Sequence, residues 1–304
     1  EDPYRSNDER FMTSPLIWKH LELSDADSIN WIKQESGVTE IVADALLDQE
    51  SRPRSMQIGD GVLVILRGIN LNPGQQLEDM ISVRVWLEGD RVISTSRRSL
   101  KSVESIGKAV ESEQGPETAG EFLTLLVQSL SDHINDAIEQ IEKSLEVVED
   151  NLDERAASRR NSPFSILRRQ SARIRRYLAP QREALDRLSK FSTSVFTVDD
   201  LANFREQANR LTLILEDIEL VRERTMVAQE EFLGILAHEQ NERLLLLSIV
   251  AAIFLPLSFL TGLMGMNVAG LPGTVYEGAF WVLLIVMLLI AGAILALFHF
   301  KRWY

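Results

Sequence analysis

Apolar and polar positions recur along this chain with three different periods, and each period predicts a different kind of element. Near the N-terminus Ile17-Trp-Lys-His-Leu-Glu-Leu23 reads as a strand. It is closed by Ser24-Asp25, a pair suited to capping a following helix that carries Trp31 and Ile32. Ile58-Gly-Asp-Gly-Val-Leu-Val-Ile-Leu-Arg67 is a turn feeding a β-branched apolar run, and Ile81-Ser-Val-Arg-Val-Trp-Leu87 alternates at period two. Glu88-Gly89-Asp90 then turns the chain into Arg91–Ser96, which predicts a hairpin. Strands with helices between them predict a compact α/β domain over residues 1–116, closing near Gly115-Pro116.

From Glu117 the spacing changes to steps of three and four. Phe122, Leu126, Leu130 and Ile134 lead into Ile138, Ile141, Leu145, Val148 and Leu152, the apolar stripe of a long amphipathic helix. Ser162-Pro163 starts a second helix, in which Pro180 is expected to introduce a kink. A third starts near Asp199-Asp200 and meets no Gly until Gly234 and no Pro until Pro256. Unbroken to Leu263, it would be roughly 100 Å long at 1.5 Å per residue. Residues 117–240 are therefore expected to form a long-helix stalk. Asp132 to Glu154 is acidic, whereas Arg159 to Lys190 is basic, with Arg168, Arg169, Arg173, Arg175 and Arg176 clustered. Opposite charges predict a salt-bridged antiparallel pair or a contact with a neighbouring subunit; an anionic ligand or lipid headgroup is the alternative.

The third pattern has no alternation. Leu244–Met266 and Gly278–Phe298 contain no Asp, Glu, Lys or Arg. Each has the ~20 residues that a helix needs to cross a bilayer. Residues 241–304 thus read as a transmembrane hairpin with spans at about 244–266 and 278–298. Arg243 and Lys301-Arg302 flank the spans and the loop between carries no Lys or Arg, so both termini are expected in the cytoplasm. Trp281, Trp303 and Tyr304 suit interfacial belts. No charged-then-apolar leader opens the chain, and Glu1 is expected to be a trimmed terminus.

Whole-chain averages conceal this division: 45% hydrophobic and 25% charged residues are ordinary for a soluble protein. The net charge of −13 argues against nucleic acid as a partner. With no cysteine, disulfides and thiolate zinc sites are excluded. Neither a glycine-rich phosphate loop, nor Gly-x-Ser-x-Gly, nor His-Glu-x-x-His occurs, and the four histidines are scattered, so no enzyme and no prosthetic group is expected.

Two spans cannot enclose a water-filled path, so transport requires a closed homo-oligomer. The first span is the candidate inner ring, because Asn241, Leu244, Ser248, Ala251, Leu255, Ser258 and Gly262 recur at steps of three or four. Asn241 and Ser258 offer polar rings, and Leu244, Leu247 and Leu255 offer constrictions; close helix packing at Ser248, Ser258 and Gly262 is the alternative. Towards the cytoplasm, His238 and Glu230 are candidates for a vestibule site for metal or protons, or are ordinary surface groups. Between the spans, Glu277 is the loop's only acid, either attracting cations or simply solvated.

Gly265-Met266-Asn267 after Phe254-Leu-Pro-Leu-Ser258, with Tyr177-Leu-Ala-Pro-Gln-Arg182 upstream and a basic tail, resembles the CorA superfamily of divalent-cation transport proteins along essentially the whole chain. The continuation Val268-Ala-Gly-Leu-Pro-Gly273 is similar to the Gly-Gly-Ile-Pro-Gly-like loop of the ZntB zinc-transport branch, from which Ala269 departs slightly. Trp18-Lys-His-Leu21 and Asp27-Ser28 are also ZntB-like. The resemblance implies an α+β membrane protein with an N-terminal cytoplasmic α/β domain, a long helical stalk and two C-terminal transmembrane helices. It further implies a multi-pass homopentamer in a bacterial inner membrane, in contact with lipid. Its cargo would be Zn2+, with Cd2+, Ni2+ or Co2+ as further ions and protons co-transported during uptake. Gly265, Met266 and Asn267 would then select cations at the pore mouth, where amide oxygens hold the water shell of a dication without stripping it. Without Cys or clustered His, zinc is expected to pass largely hydrated. A Mg2+/Co2+ channel gated by intracellular metal is the alternative.

Overall fold

The computed structural model describes residues 16–48, 52–152, 163–266, 271–273 and 277–300. Its elements are β1 (Ile17–Glu22), α1 (Ala26–Gln34), α2 (Glu40–Leu47), β2 (Arg54–Ile58), β3 (Gly61–Gly68), β4 (Ile81–Glu88) and β5 (Arg91–Ser96). They are followed by α3 (Lys101–Glu111), α4 (Ala119–Glu149), α5 (Phe164–Leu188), α6 (Val198–Met264) and α7 (Ala279–Phe300). Two compact units divide the chain, Glu1–Gln229 and Glu230–Tyr304.

Local chemistry accounts for most element boundaries in the first unit. The Asp25 carboxylate accepts the backbone N–H groups of Asp27 and Ser28, so the expected cap of α1 is present. The hairpin between β4 and β5 pairs Glu88 with Arg91 around Gly89, which has φ +56°. A second two-residue hairpin joins β2 to β3 around Gly59, at φ +60°. Both glycines take the positive φ that such tight hairpins require. At the head of α4, Thr118 accepts the N–H of Glu121, whose carboxylate accepts that of Glu117.

The sheet has the order β1-β5-β4-β3-β2, with β1 parallel to β5 and every other pair antiparallel. β3 and β4 are buried almost throughout, because helices cover both faces. On one face Leu63, Ile65, Trp86 and Ile93 pack with Ile32, Val42 and Leu46 of α1 and α2. Across the sheet, Gly68 of β3 lies directly under Leu100 and Leu130, and Ser55 of β2 donates to the Ala184 carbonyl of α5 at 2.8 Å. The backbone N–H of Arg67 donates to the Gln181 side chain at 2.7 Å. A mixed sheet between two helical layers is thus the core of the first unit. Pro180 lies inside α5, whose span continues to Leu188.

Within the described part of the chain, the opposed charges of the helical region do not form the expected pair of α4 with α5. Among the described residues, α5 directs Arg169 to Glu78 and Arg173 to Asp79, at 3.1 and 2.6 Å, in the connection between β3 and β4. Arg175 goes to Glu219 of α6. The acids of α4 are met by α6 instead, Asp132 by Arg210 and Glu149 by Arg224, the latter at 2.6 Å. Three helices and the β3–β4 connection therefore share the charges that the linear sequence divides between two. Their spacing decides this: acids on α4 meet arginines wherever the helix packed beside them presents one.

Candidate functional site

Both candidate spans are helices in the structure, α6 and α7, and each is long and apolar enough to cross a membrane. In the second unit α6 shows two distinct sides. Asn241, Leu244, Leu247, Ser248, Ala251, Leu255, Ser258 and Gly262 are all exposed. Leu245, Ile249, Ala252, Pro256 and Leu260 are half-buried and lie on another side of the helix. On α7 the half-buried positions are Ala279, Leu283, Met287, Ile290, Ala291, Ile294 and Phe298. Steps of three and four on both helices are what one covered face of each produces. The polar and small residues singled out from the sequence are on the uncovered side.

Hydrogen bonding adds chemistry to that side. The Ser248 hydroxyl donates to the Leu244 carbonyl at 2.8 Å, and the Thr261 hydroxyl to the Ser258 carbonyl at 3.0 Å. Each hydroxyl proton is used within the helix, which leaves the oxygen as an acceptor. Such a surface suits the water shell of a cation, whose hydrogens point outward. Pro256 has no N–H, so the Ala252 carbonyl lacks its usual partner four residues on.

The end of α6 is held by Gly265 N–H donating to the Thr261 carbonyl at 2.9 Å and by Met266 N–H to that of Leu263 at 3.4 Å. A Cβ at Gly265 would stand 3.1 Å from the Thr261 carbonyl oxygen, tighter than ordinary contact. Close approach is the constraint there; Gly273, by contrast, has φ +92° after Pro272, a turn that only glycine adopts easily. Met266 is exposed, as is Glu277. Asn267 lies outside the described residues.

At the other end of this unit, exposed His238 has Nε2 3.4 Å from the Glu242 carboxylate, one turn on. Glu230 is exposed on the same helix. Arg243 pairs with Glu239 at 3.2 Å just before the apolar run begins. Among the described residues, no three His, Asp or Glu side chains converge as metal ligands.

A different histidine is set apart by its surroundings. His20 of β1 is enclosed beside Trp18, with Nδ1 2.8 Å from the Ser94 hydroxyl and Nε2 3.2 Å from that of Ser96. Trp18 packs on Phe122 of α4, with ring centroids 4.9 Å apart. The Trp18 indole donates to Ser94, and Ser96 donates to the Arg98 carbonyl. Ser96 has its proton on the Arg98 carbonyl and so accepts from Nε2–H, and in the neutral ring Ser94 donates to Nδ1 while its oxygen accepts from the indole. This network holds the ring as a neutral imidazole, and burial pushes its pKa down to about 4. Of the Trp-Lys-His-Leu run noted from the sequence, Trp18 and His20 thus lie between the sheet and α4, whereas Lys19 lies over the Trp31 ring of α1 and Leu21 packs with Ile32 and Val42 on the other face.

Comparison with known proteins matches residues 14–302 to the model of a family described as CorA-like Mg2+ transporter protein. The divalent cation transporter CmaX of Pseudomonas aeruginosa is 40% identical over 279 residues, covering 91% of this chain and 83% of that protein. The zinc transport protein ZntB of Yersinia enterocolitica is 33% identical over 256 residues, covering 84% and 78%. The solved structure of full-length CmaX superposes with a TM-score of 0.80 at 37% identity, covering 95% of this chain and 89% of that one.

Proposed function

The chain belongs to the CorA-like family, and on that premise we propose that it carries Zn2+ into the cell across a bacterial inner membrane. It is a divalent-cation transporter, not an enzyme. The pathway is a closed ring of five copies, lined by the uncovered side of α6. One observation supports this reading: the residues spaced for a lining, Asn241 to Gly262, are all exposed on α6 and lie away from its half-buried stripe of Leu245, Ile249, Ala252, Pro256 and Leu260.

Physical chemistry then assigns roles along the helix. Ser258, Ser248 and Asn241 accept hydrogen bonds from the water shell of the ion, and Leu255, Leu247 and Leu244 set the width between them. Gly265 and Met266 follow the end of α6, and with Asn267 they select the hydrated cation at the pore mouth. Glu277 raises the local cation concentration there. Protons are exchanged outside the spans, where His238 and Glu242 stand together, because neither span contains an ionisable Asp, Glu, Lys or Arg. Both ends of the chain are cytoplasmic, set by Arg243 and Lys301-Arg302.

Zinc is favoured over magnesium by Val268–Gly273, the ZntB-like stretch after Asn267, and by the relative named for zinc transport. The magnesium reading has its own support in the description of the matching family. Purified protein in liposomes separates them. Zinc should accumulate faster with an inward proton gradient and be little affected by equal magnesium, while Asn267→Ala should lower flux at least tenfold. Magnesium flux outrunning zinc would establish the alternative, and indifference to the gradient would remove the proton coupling.

A further inference from the structure

A cavity of about 550 Å3 opens in the first unit where β3 ends, β4 begins and β5 runs out, beneath α5. Six arginines line it: Arg67, Arg84, Arg97, Arg98, Arg173 and Arg176. Among the described residues, only two carboxylates, Glu78 and Asp79, share the lining, and both have ion-pair partners in Arg169 and Arg173. So strong a concentration of positive charge is unexpected in a chain whose net charge is −13. Guanidinium groups gathered in a recess repel one another, and their packing is favourable only with an opposite charge among them.

Arg84 gives the cavity its floor. It is 1% exposed, and Nη2 donates to the Asp48 carbonyl, but among the described residues Nε and Nη1 have no hydrogen-bond partner. Burial lowers its pKa to about 10, and the neighbouring Arg67 pushes the same way. Buried donors without acceptors are rare because each costs about 1–3 kcal/mol. The other walls are already shaped: Arg67 lies over the Tyr177 ring at 4.4 Å, and Arg98 is held by Gln75 at 2.7 Å. Arg97 and Arg176 are exposed at the rim.

We propose that this cavity binds a small multivalent oxyanion of the phosphate class, either orthophosphate or a phosphorylated metabolite, anchored on Arg84 and closed over by Arg97 and Arg176. Several acceptor oxygens and at least two negative charges on one centre answer guanidinium forks arriving from different strands and a helix. The volume is in the range of small-ligand pockets rather than single-ion sites. This site is independent of the ion carried through the membrane.

Equilibrium dialysis of the detergent-solubilised full chain against radiolabelled orthophosphate, at low salt and without chloride, tests it. Saturable binding of one phosphate per chain is expected, with sulfate competing. Arg84→Gln also breaks the tie to Asp48, so Arg97→Gln and Arg176→Gln at the rim carry the test. Each should weaken binding at least tenfold while leaving thermal unfolding unchanged, and Arg187→Gln, exposed on α5 outside the cavity, should not. Competition by ribose 5-phosphate more than tenfold stronger than by phosphate identifies a phosphorylated metabolite; equal competition identifies the free anion. No saturable binding by the wild-type chain, or binding that neither rim variant alters, overturns the proposal.

Discussion

His20 sits between Ser94 and Ser96, and the directions of their two hydroxyl protons decide whether its imidazole carries charge. Protonating Nδ1 requires Ser94 to turn its proton away from the ring, where the enclosed site offers the displaced hydroxyl proton and the new charge little water. The folded pKa is about 4, against 6.5 for the free side chain. Because the folded value is depressed, the unfolded chain binds the proton first as pH falls. His20 therefore contributes its stability fully above pH 6.5, and that contribution is lost progressively down to about pH 4. Thermal unfolding of the detergent-solubilised chain should show this slope, and His20→Gln should flatten it between pH 6.5 and 4. Sequence alone shows a histidine on a strand; its two serine partners lie on β5, more than seventy residues away. The arginine cavity was legible only in part: the cluster of Arg173 and Arg176 left an anionic ligand as an alternative, but the full lining comes from two strands, two connections and a helix. Arg84 did leave a trace, as a charge at a position where β4 is otherwise buried.

Secondary elements were legible where one environment governed many consecutive residues. The apolar runs of α6 and α7, the alternation of β4 and the helical stripe of α4 each come from one unbroken requirement of solvent or bilayer. By contrast β2, Arg-Ser-Met-Gln-Ile, is an edge strand of which only Ser55 is buried, so it has no apolar rhythm to read. α2 spans only eight residues, with Val42, Ala43 and Leu46 buried, too short to distinguish a helix from a buried strand. α3 begins at Leu100, which provides no side-chain cap, so the usual start signal is missing. On α6 the division into two sides leads to a test of the lining. Ser248→Leu and Ala251→Leu, on the uncovered side, should each cut zinc flux in liposomes at least tenfold by filling the path. Leu288→Ile, at a position 65% exposed on α7, should leave flux unchanged. Equal effects from both helices would mean that α6 does not line the pathway.

For the molecule as a whole, the spans present more apolar surface than one chain can cover. Leu247, Leu255 and Phe259 of α6 are 64, 71 and 67% exposed. Lipid can cover the outer part of such a surface, but Asn241, Ser248 and Ser258 need polar neighbours or water. A closed ring of copies supplies both around a common axis. Native mass spectrometry of protein released from mild detergent should find five chains, and a species that never exceeds two would exclude the ring. The ion pairs Asp132–Arg210 and Glu149–Arg224 tie α4 to the part of α6 that lies within the first unit. Their side chains are roughly a third to a half exposed, so salt should weaken these ties.

The hydroxyl of Ser248, turned back onto Leu244, has a kinetic meaning for the ring. A lining that offers oxygen lone pairs but no formal charge creates a shallow well, in which no ion stays long. Occupancy is then set by supply from either side. Throughput should climb in proportion to outside metal over a broad range before levelling, and the membrane passage would act less as a tight receptor than as a sieve for wet ions.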